Sequence, residues 1–209
     1  MMKPGLAVVI SSPSGTGKTT ICRKLLEKHD DFQFSVSATT RPARQNERDG
    51  IDYFFMTEND FSRNKKAGNF IETAKYLNHW YGTPIKQLKE TIAYGKVVLL
   101  DIDIQGGKSI KKIMPDAVAV FLMPPSMTEL KRRLKKRLTE TTEAQKKRIE
   151  TAAEELKSWT EYDYITVNNN LNAAVEQISM IIKTERLKTK RLNDKQYWKK
   201  SLIKLLGLE

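Results

Sequence analysis

The sequence holds one cysteine, Cys22, and two histidines, His29 and His79. A single thiol excludes an internal disulfide and suits a reducing compartment, so a cytoplasmic protein is expected. The two histidines form no metal-ligand pattern with each other or with Cys22. No apolar run approaches the ~20 residues of a membrane span. The opening stretch MMKPGLAVVI is too short an apolar segment for a secretion signal and runs directly into a glycine-rich loop. Internal repeats and low-complexity linkers are also missing. What remains is 209 residues, 39% hydrophobic and 30% charged, the make-up of one globular domain with insertions.

The net charge of +12 is unevenly spread. Residues 126–148 carry nine Lys/Arg against three acids, and residues 183–204 nine against two. The rest is close to neutral. Three readings stand: a nucleic-acid surface, solvated helix faces, or a patch that meets a small polyanion. No recognition helix, RNA-stacking motif or metal finger accompanies the charge, so no nucleic acid is expected.

Leu6–Ile10 is a short β-branched run typical of a buried parallel strand. It leads into Ser11-Ser12-Pro13-Ser14-Gly15-Thr16-Gly17-Lys18-Thr19-Thr20. After it, Ile21, Cys22, Leu25 and Leu26 recur at helical spacing. Strand, glycine-rich turn and helix are the context of a phosphate-binding loop. Gly15 and Gly17 allow close backbone approach, and successive N–H groups with the helix dipole surround an anion. Lys18 would place a charge on the β/γ-phosphates, and Thr19 a hydroxyl on Mg²⁺. Ser12 stands where the pattern G-x-x-x-x-G-K-[ST] opens with glycine. Cys22 falls on the apolar face of the helix and reads as core.

A second strand, Lys96–Asp103, is apolar and ends in acids. Asp101 and Asp103 alternate with Ile102, so on a strand they would point the same way, one toward Mg²⁺ and one toward a substrate. Residues 34–83 then supply Arg41, Arg44, Tyr53 and Tyr81, which suit phosphate oxygens, and Glu72, which suits the donors of a base edge. Tyr81-Gly82-Thr83 reads as a turn.

These motifs together resemble the guanylate kinase family, from the first strand to about residue 170. They are Ser37-x-Thr39-Thr40-Arg41 with Arg44 three on, Gly50-x-Asp52-Tyr53, Phe70-x-Glu72, Tyr81-Gly82-Thr83, and Leu100-Asp-Ile-Asp-Ile-Gln-Gly106. The resemblance implies transfer of a phosphoryl group from ATP to GMP, with dGMP as a further acceptor. It implies guanine binding by Ser37 and Glu72 with Thr83 assisting. It implies that Arg41, Arg44, Tyr53 and Tyr81 hold the GMP phosphate, with Asp101 and Asp103 between acceptor and metal. Residues 12–20 would hold ATP, with Asn168 near the adenine, and Thr19 and Asp101 would hold Mg²⁺. Pro42-Ala43 reverses the family's order there, and Asn46 replaces a common glycine.

Pro124-Pro125 ends a strand at Met123, and Ser126 with Glu129 starts a helix as a capping box. Leu130, Leu134 and Leu138 repeat every fourth residue, and Ile149, Ala152, Ala153 and Leu156 mark a second helix. By resemblance this hairpin is the lid, with Arg137 and Arg148 joining Lys18 and Arg41 as catalytic cations; Leu138 replaces a family glycine. Tyr164–Val167 reads as a core strand and residues 171–188 as a closing helix. Beyond residue 190, Trp198, Leu202, Leu205 and Leu206 form a basic amphipathic pattern. Such a helix can lie on a membrane, but packing on the domain or on a second subunit is the preferred reading.

The expected architecture is α/β: a P-loop parallel sheet with helices on both faces, a mixed GMP-binding insertion and a helical lid. The core takes residues 1–35, 91–124 and 158–190, the acceptor region 36–90, the lid 125–157 and a basic tail 191–209. ATP and GMP or dGMP are the expected partners, with no membrane and a possible homo-oligomer.

Overall fold

The fold is that of a computed structural model. The structure describes residues 4–76, 78–135 and 142–191, with 204, 205 and 207. Five parallel strands form one sheet: β1 (Leu6–Ser11), β2 (Phe32–Phe34), β7 (Val97–Asp101), β8 (Val118–Met123) and β9 (Tyr164–Val167), in the order β2-β7-β1-β8-β9. The second sheet is mixed, ordered β4-β3-β6-β5, from β3 (Ala38–Thr39), β4 (Phe54–Phe55), β5 (Phe70–Tyr76) and β6 (His79–Pro84). The helices are α1 (Lys18–Lys28), α2 (Glu58–Lys66), α3 (Ile85–Ala93), α4 (Ile104–Ile113), α5 (Met127–Lys135), α6 (Thr142–Leu156) and α7 (Leu171–Arg186).

The period of two along β1 explains the sandwich. Leu6, Val8 and Ile10 enter one core with Ile21 and Leu25 of α1 and Ile178 and Ile182 of α7. Ala7 and Val9 enter a second core with Leu88 of α3 and Ile110 of α4. A strand buried on both faces must be apolar throughout, which is what the run shows. Each fully buried Val, Leu or Ile here contributes about 1.5–3 kcal/mol. An aspartate at Val8 would place an unpaired charge between these layers, a cost of several kcal/mol.

Three local expectations change. Tyr81, Gly82 and Thr83 do not turn; they lie inside β6, antiparallel to β5. The reversal is marked by Asn78, whose φ is 67°. Gly82 serves packing: a Cβ there would meet Phe70 at 3.0 Å and Phe61 at 3.1 Å, where those rings stack. Second, β9 joins the sheet at its edge. Thr166 is buried, but Ile165 and Val167 stay 46% and 49% exposed on this edge strand, on which α7 packs. Third, half of the capping box forms. The Glu129 N–H donates to Ser126 Oγ at 3.1 Å. The Glu129 carboxylate goes to Arg132 and Arg133 instead, ion pairs that outcompete a neutral amide.

α5 and α6 share a small core of Leu130, Leu134 and Ala152. Leu138 and Arg137 lie outside the described residues. At its other end α7 is fixed by Arg186, which donates to the carbonyls of Pro4 and Gly95 and pairs with Asp31 at 2.6 Å.

Candidate active site

The carboxyl ends of β1 and β7 open onto a cavity of about 310 Å³. Residues 12–20 form one wall and the mixed sheet the other. In open parallel sheets this edge is where ligands bind.

The loop wall is built from backbone. Gly15 and Gly17 have φ of 87° and 96°, the left-handed region that disfavours a side chain. Gly17 is the N-cap of α1, so the first amides of that helix face the cavity. A Cβ at Gly15 would press on Leu134 at 3.0 Å, so α5 rests against the loop. The Thr16 hydroxyl and amide both donate to the Pro13 carbonyl. Among the described residues Asn78 alone is a non-glycine with positive φ. Ser12 therefore occupies backbone that any residue adopts, and its hydroxyl bonds the Pro13 carbonyl at 3.1 Å. The missing glycine costs the loop nothing in conformation.

Lys18 Nζ lies 2.9 Å from Asp101 Oδ1 and donates to the Ile102 carbonyl at 2.6 Å. Thr19 Oγ1 donates to the other Asp101 oxygen at 2.8 Å. The pair intended for a metal thus stands together at the end of β7. Asp103 sits beyond the strand, as the N-cap of α4, and accepts from Gly106 N at 2.7 Å. The expected strand alternation of Asp101 and Asp103 does not occur, although both line the cavity.

The opposite wall is built from side chains. Ser37, Arg44, Tyr53, Glu72 and Tyr81 all line the cavity. Glu72 is 8% exposed and accepts a hydrogen bond from Thr83 Oγ1 at 2.7 Å. Burial pushes its carboxyl up to about 6; Thr83 opposes the shift and Asp103 adds to it. Tyr53 is pushed up to about 12, first by burial and then by Asp101, so it is a hydroxyl donor at neutral pH.

Three residues that the sequence suggested for ligand contact are turned elsewhere. Arg41 Nη2 donates to both oxygens of Glu47 at 2.8 Å, and its guanidinium lies 5.3 Å over the Tyr53 ring. Thr83 is fully buried behind Glu72. Asn168 Nδ2 donates to the Thr16 carbonyl at 2.7 Å, bracing the loop from behind. None of the three lines the cavity.

The structure adds residues the sequence reading missed. Arg133 donates to the carbonyls of Thr16 and Asn168 and so ties α5 to the loop. Tyr76 and Ala74 line the cavity because β5 turns every second residue after Glu72 the same way. That alternation was available once the strand was known. Glu155 joins Arg148 on the α6 side; its only signal was a seven-residue, two-turn separation from Arg148.

A five-stranded parallel sheet, a phosphate loop at its carboxyl edge and a second binding wall facing it define a P-loop α/β phosphotransferase. The sequence model of the guanylate kinase family, described as "Guanylate kinase", matches residues 4–185. A guanylate kinase of Caldanaerobacter subterraneus subsp. tengcongensis is 45% identical over 92% of this chain and 93% of its own. One from Oceanobacillus iheyensis is 42% identical over 93% and 94%. The crystal structure of guanylate kinase from Anaplasma phagocytophilum superposes with a TM-score of 0.80 at 35% identity, covering 93% of each chain. The chain belongs to the guanylate kinase family.

Proposed function

We propose that the protein transfers the γ-phosphoryl group of ATP to GMP, giving ADP and GDP, and accepts dGMP as well. One observation carries this reading: the phosphate loop and the buried carboxylate of Glu72 open into the same cavity. Two nucleotides bound at these walls would meet phosphate to phosphate. Family membership supports the same reaction.

Residues 12–20 would surround the ATP phosphates. Lys18 would leave Asp101 for the β/γ oxygens. Arg44, Tyr53 and Tyr81 would hold the GMP phosphate. Arg41 would either join them by leaving Glu47 or hold Tyr53 from its present place. Glu72, ionised, would accept the N1–H and 2-amino donors of guanine, with Ser37 beside it and Thr83 orienting its carboxylate. Adenine lacks both donors and would leave a buried acceptor unpaired, a mismatch worth up to ~10⁴ in selectivity. Asn168 would act on the adenine side through the loop it braces. Arg148, with Arg137, would bring further cation charge as residues 125–157 close over residues 1–35, 91–124 and 158–190. Residues 36–90 would form the acceptor domain, and residues 191–209 a separate tail.

The oxygen donors Thr19 and Asp101 suit Mg²⁺, a hard ion that keeps most of its shell for water and phosphate. When bound, Mg²⁺ supplies charge neutralisation between the phosphates. The chain's own part is positioning and exclusion of water, because a GMP phosphate oxygen is already a nucleophile. We place the reaction in the cytoplasm, away from nucleic acid and membranes; no helix among the described residues is long and apolar enough to cross a bilayer. A homo-oligomer is compatible with this site.

The test is a coupled ADP-release assay with ATP, Mg²⁺ and GMP, dGMP, AMP, CMP or UMP. Strong preference for GMP is expected. Equal turnover of GMP and AMP would remove Glu72 from recognition.

A further inference from the structure

Glu47 makes none of the phosphate contacts assigned above, yet its bonds converge on residues that do. Its carboxylate accepts from Arg41 Nη2 on both oxygens at 2.8 Å, and Oε2 also accepts the Arg44 N–H at 2.9 Å. The Glu47 N–H donates to the Arg44 carbonyl at 3.0 Å, which closes the turn. The ion pair is well covered for a loop, its side chains 14% and 18% exposed. Burial would raise the Glu47 carboxyl, but the Arg44 amide and the Arg41 guanidinium outweigh it and hold the group below the ordinary carboxylate range.

Arg41 has further anchors. Its N–H donates to Thr39 Oγ1 at 3.1 Å, at the end of β3, and its Nη1 donates to the Pro42 carbonyl at 2.7 Å. Its guanidinium lies 5.3 Å over the Tyr53 ring and 5.9 Å over that of Phe55. Tyr53 in turn meets the Tyr81 ring edge-on at 6.0 Å. Arg44, Tyr53 and Tyr81 line the cavity, whereas Glu47 and Arg41 stand behind them. Two arginines this close in the chain repel each other, and one carboxylate bonded to both offsets that repulsion.

We propose that Glu47 is a positioning residue for the acceptor phosphate: it holds Arg41 behind Tyr53 and fixes the Arg44 turn, so the phosphate-binding groups are set before the ligand arrives. The proposal rests on GMP being the acceptor. Oε2 is shared with a backbone amide of the same turn, so the carboxylate stays with the wall and does not compete with the phosphate for Arg41. Preorganisation of this kind lowers the cost of binding without entering the chemistry. It therefore acts on KM and spares kcat.

The experiment is the coupled ADP-release assay on the wild type, Glu47→Gln and Glu47→Asp, with guanosine as a competing ligand that has base and sugar but no phosphate. Glu47→Gln should raise KM for GMP about tenfold, with kcat within about threefold and KM for ATP unchanged as the check on folding. Glu47→Asp keeps the charge at a shorter reach and should raise KM by a smaller factor; it carries the test if the glutamine variant folds poorly. The inhibition constant of guanosine should stay within about twofold of wild type in both variants, because guanosine uses no phosphate contact. An unchanged or lower KM for GMP overturns the proposal, a lower one meaning that Glu47 competes with the phosphate for Arg41. A guanosine constant that rises in step with KM for GMP also overturns it, since a wall loosened as a whole loses base and phosphate alike. A wild type that turns over no GMP would instead remove the acceptor assignment itself.

Discussion

The two walls of the cavity are made in different ways. The loop wall is nine consecutive residues, 12–20, and its working groups are amides whose directions follow from Gly15, Gly17 and the start of α1. Its one strong cation, Lys18, is already matched by Asp101 at 2.9 Å. The acceptor wall draws on residues 37, 44, 53, 72 and 81, carried by separate strands and the segments between them. Its key charge, Glu72, is buried, with the Thr83 hydroxyl as its hydrogen-bond donor. A contiguous backbone site is preorganised by local geometry. A dispersed side-chain site depends on register, and it can hold a charge that the fold alone does not satisfy.

That contrast has a stability consequence. The carboxyl of Glu72 is raised from near 4.5 to about 6, so the folded state binds its proton more tightly than the unfolded chain does. Stability therefore falls as pH rises from 4.5 to 6. Above pH 6 the full cost remains, about 2 kcal/mol on the order-of-magnitude scale. Guanine donors would offset it. Recognition and destabilisation then have the same origin.

The largest expected effect tests the loop wall. Lys18→Ala should lower kcat about 10³-fold or more, while GMP binding by titration stays close to wild type. Unchanged turnover would show that the loop lysine does not touch the transferred phosphate.

Next is the acceptor wall. Glu72→Gln should lower kcat/KM for GMP about 10²- to 10³-fold and leave the small activity toward AMP nearly unaltered, as the coupled assay reads. A proportional loss with both nucleotides would mean that residue 72 supports the wall without choosing the base.

The pH profile gives a smaller, more diagnostic signal. KM for GMP should rise up to tenfold per unit as pH falls below about 6, because a protonated Glu72 no longer accepts two donors. The second phosphate proton of GMP also titrates near 6. It is common to wild type and Glu72→Gln, so the difference between the two profiles isolates the carboxyl. Parallel profiles would remove Glu72 as the titrating group.

The smallest effect is indirect. Thr83→Val deletes the donor that holds Glu72 and should raise KM for GMP about fivefold with kcat little changed. It should also move the pH midpoint upward, since the lost bond favoured the ionised form. A fall in kcat alone would place Thr83 in the chemistry instead.

Much of this was legible before any coordinates. Strand β1, the loop and α1 follow one another within 23 residues, and nearest-neighbour rules suffice for them. Ser37, Arg44, Tyr53, Glu72 and Tyr81 line one cavity. The turn at Tyr81-Gly82-Thr83 was misread because glycine marks both reversals and close packing, and only the Phe61–Phe70 stack distinguishes them. Asp103 was misread because the end of a strand is not written in its apolar run. The orientation of Arg41 was illegible: Glu47 and the Tyr53 ring compete for the same guanidinium, and the contest is settled in space.

The sequence by itself determined most of the elements, the phosphate-loop motif and the family, because each depends on residues close in the chain or on a pattern of residue types. Only the tertiary structure decided which side chains share the cavity. That Asn168 faces the loop carbonyl, that Glu72 is buried against Thr83, and that Glu155 lines the cavity from another helix are outcomes of packing. Distance along the chain carries no information about such meetings. They are fixed by strand register and helix contact, where a shift of one residue would turn each side chain away.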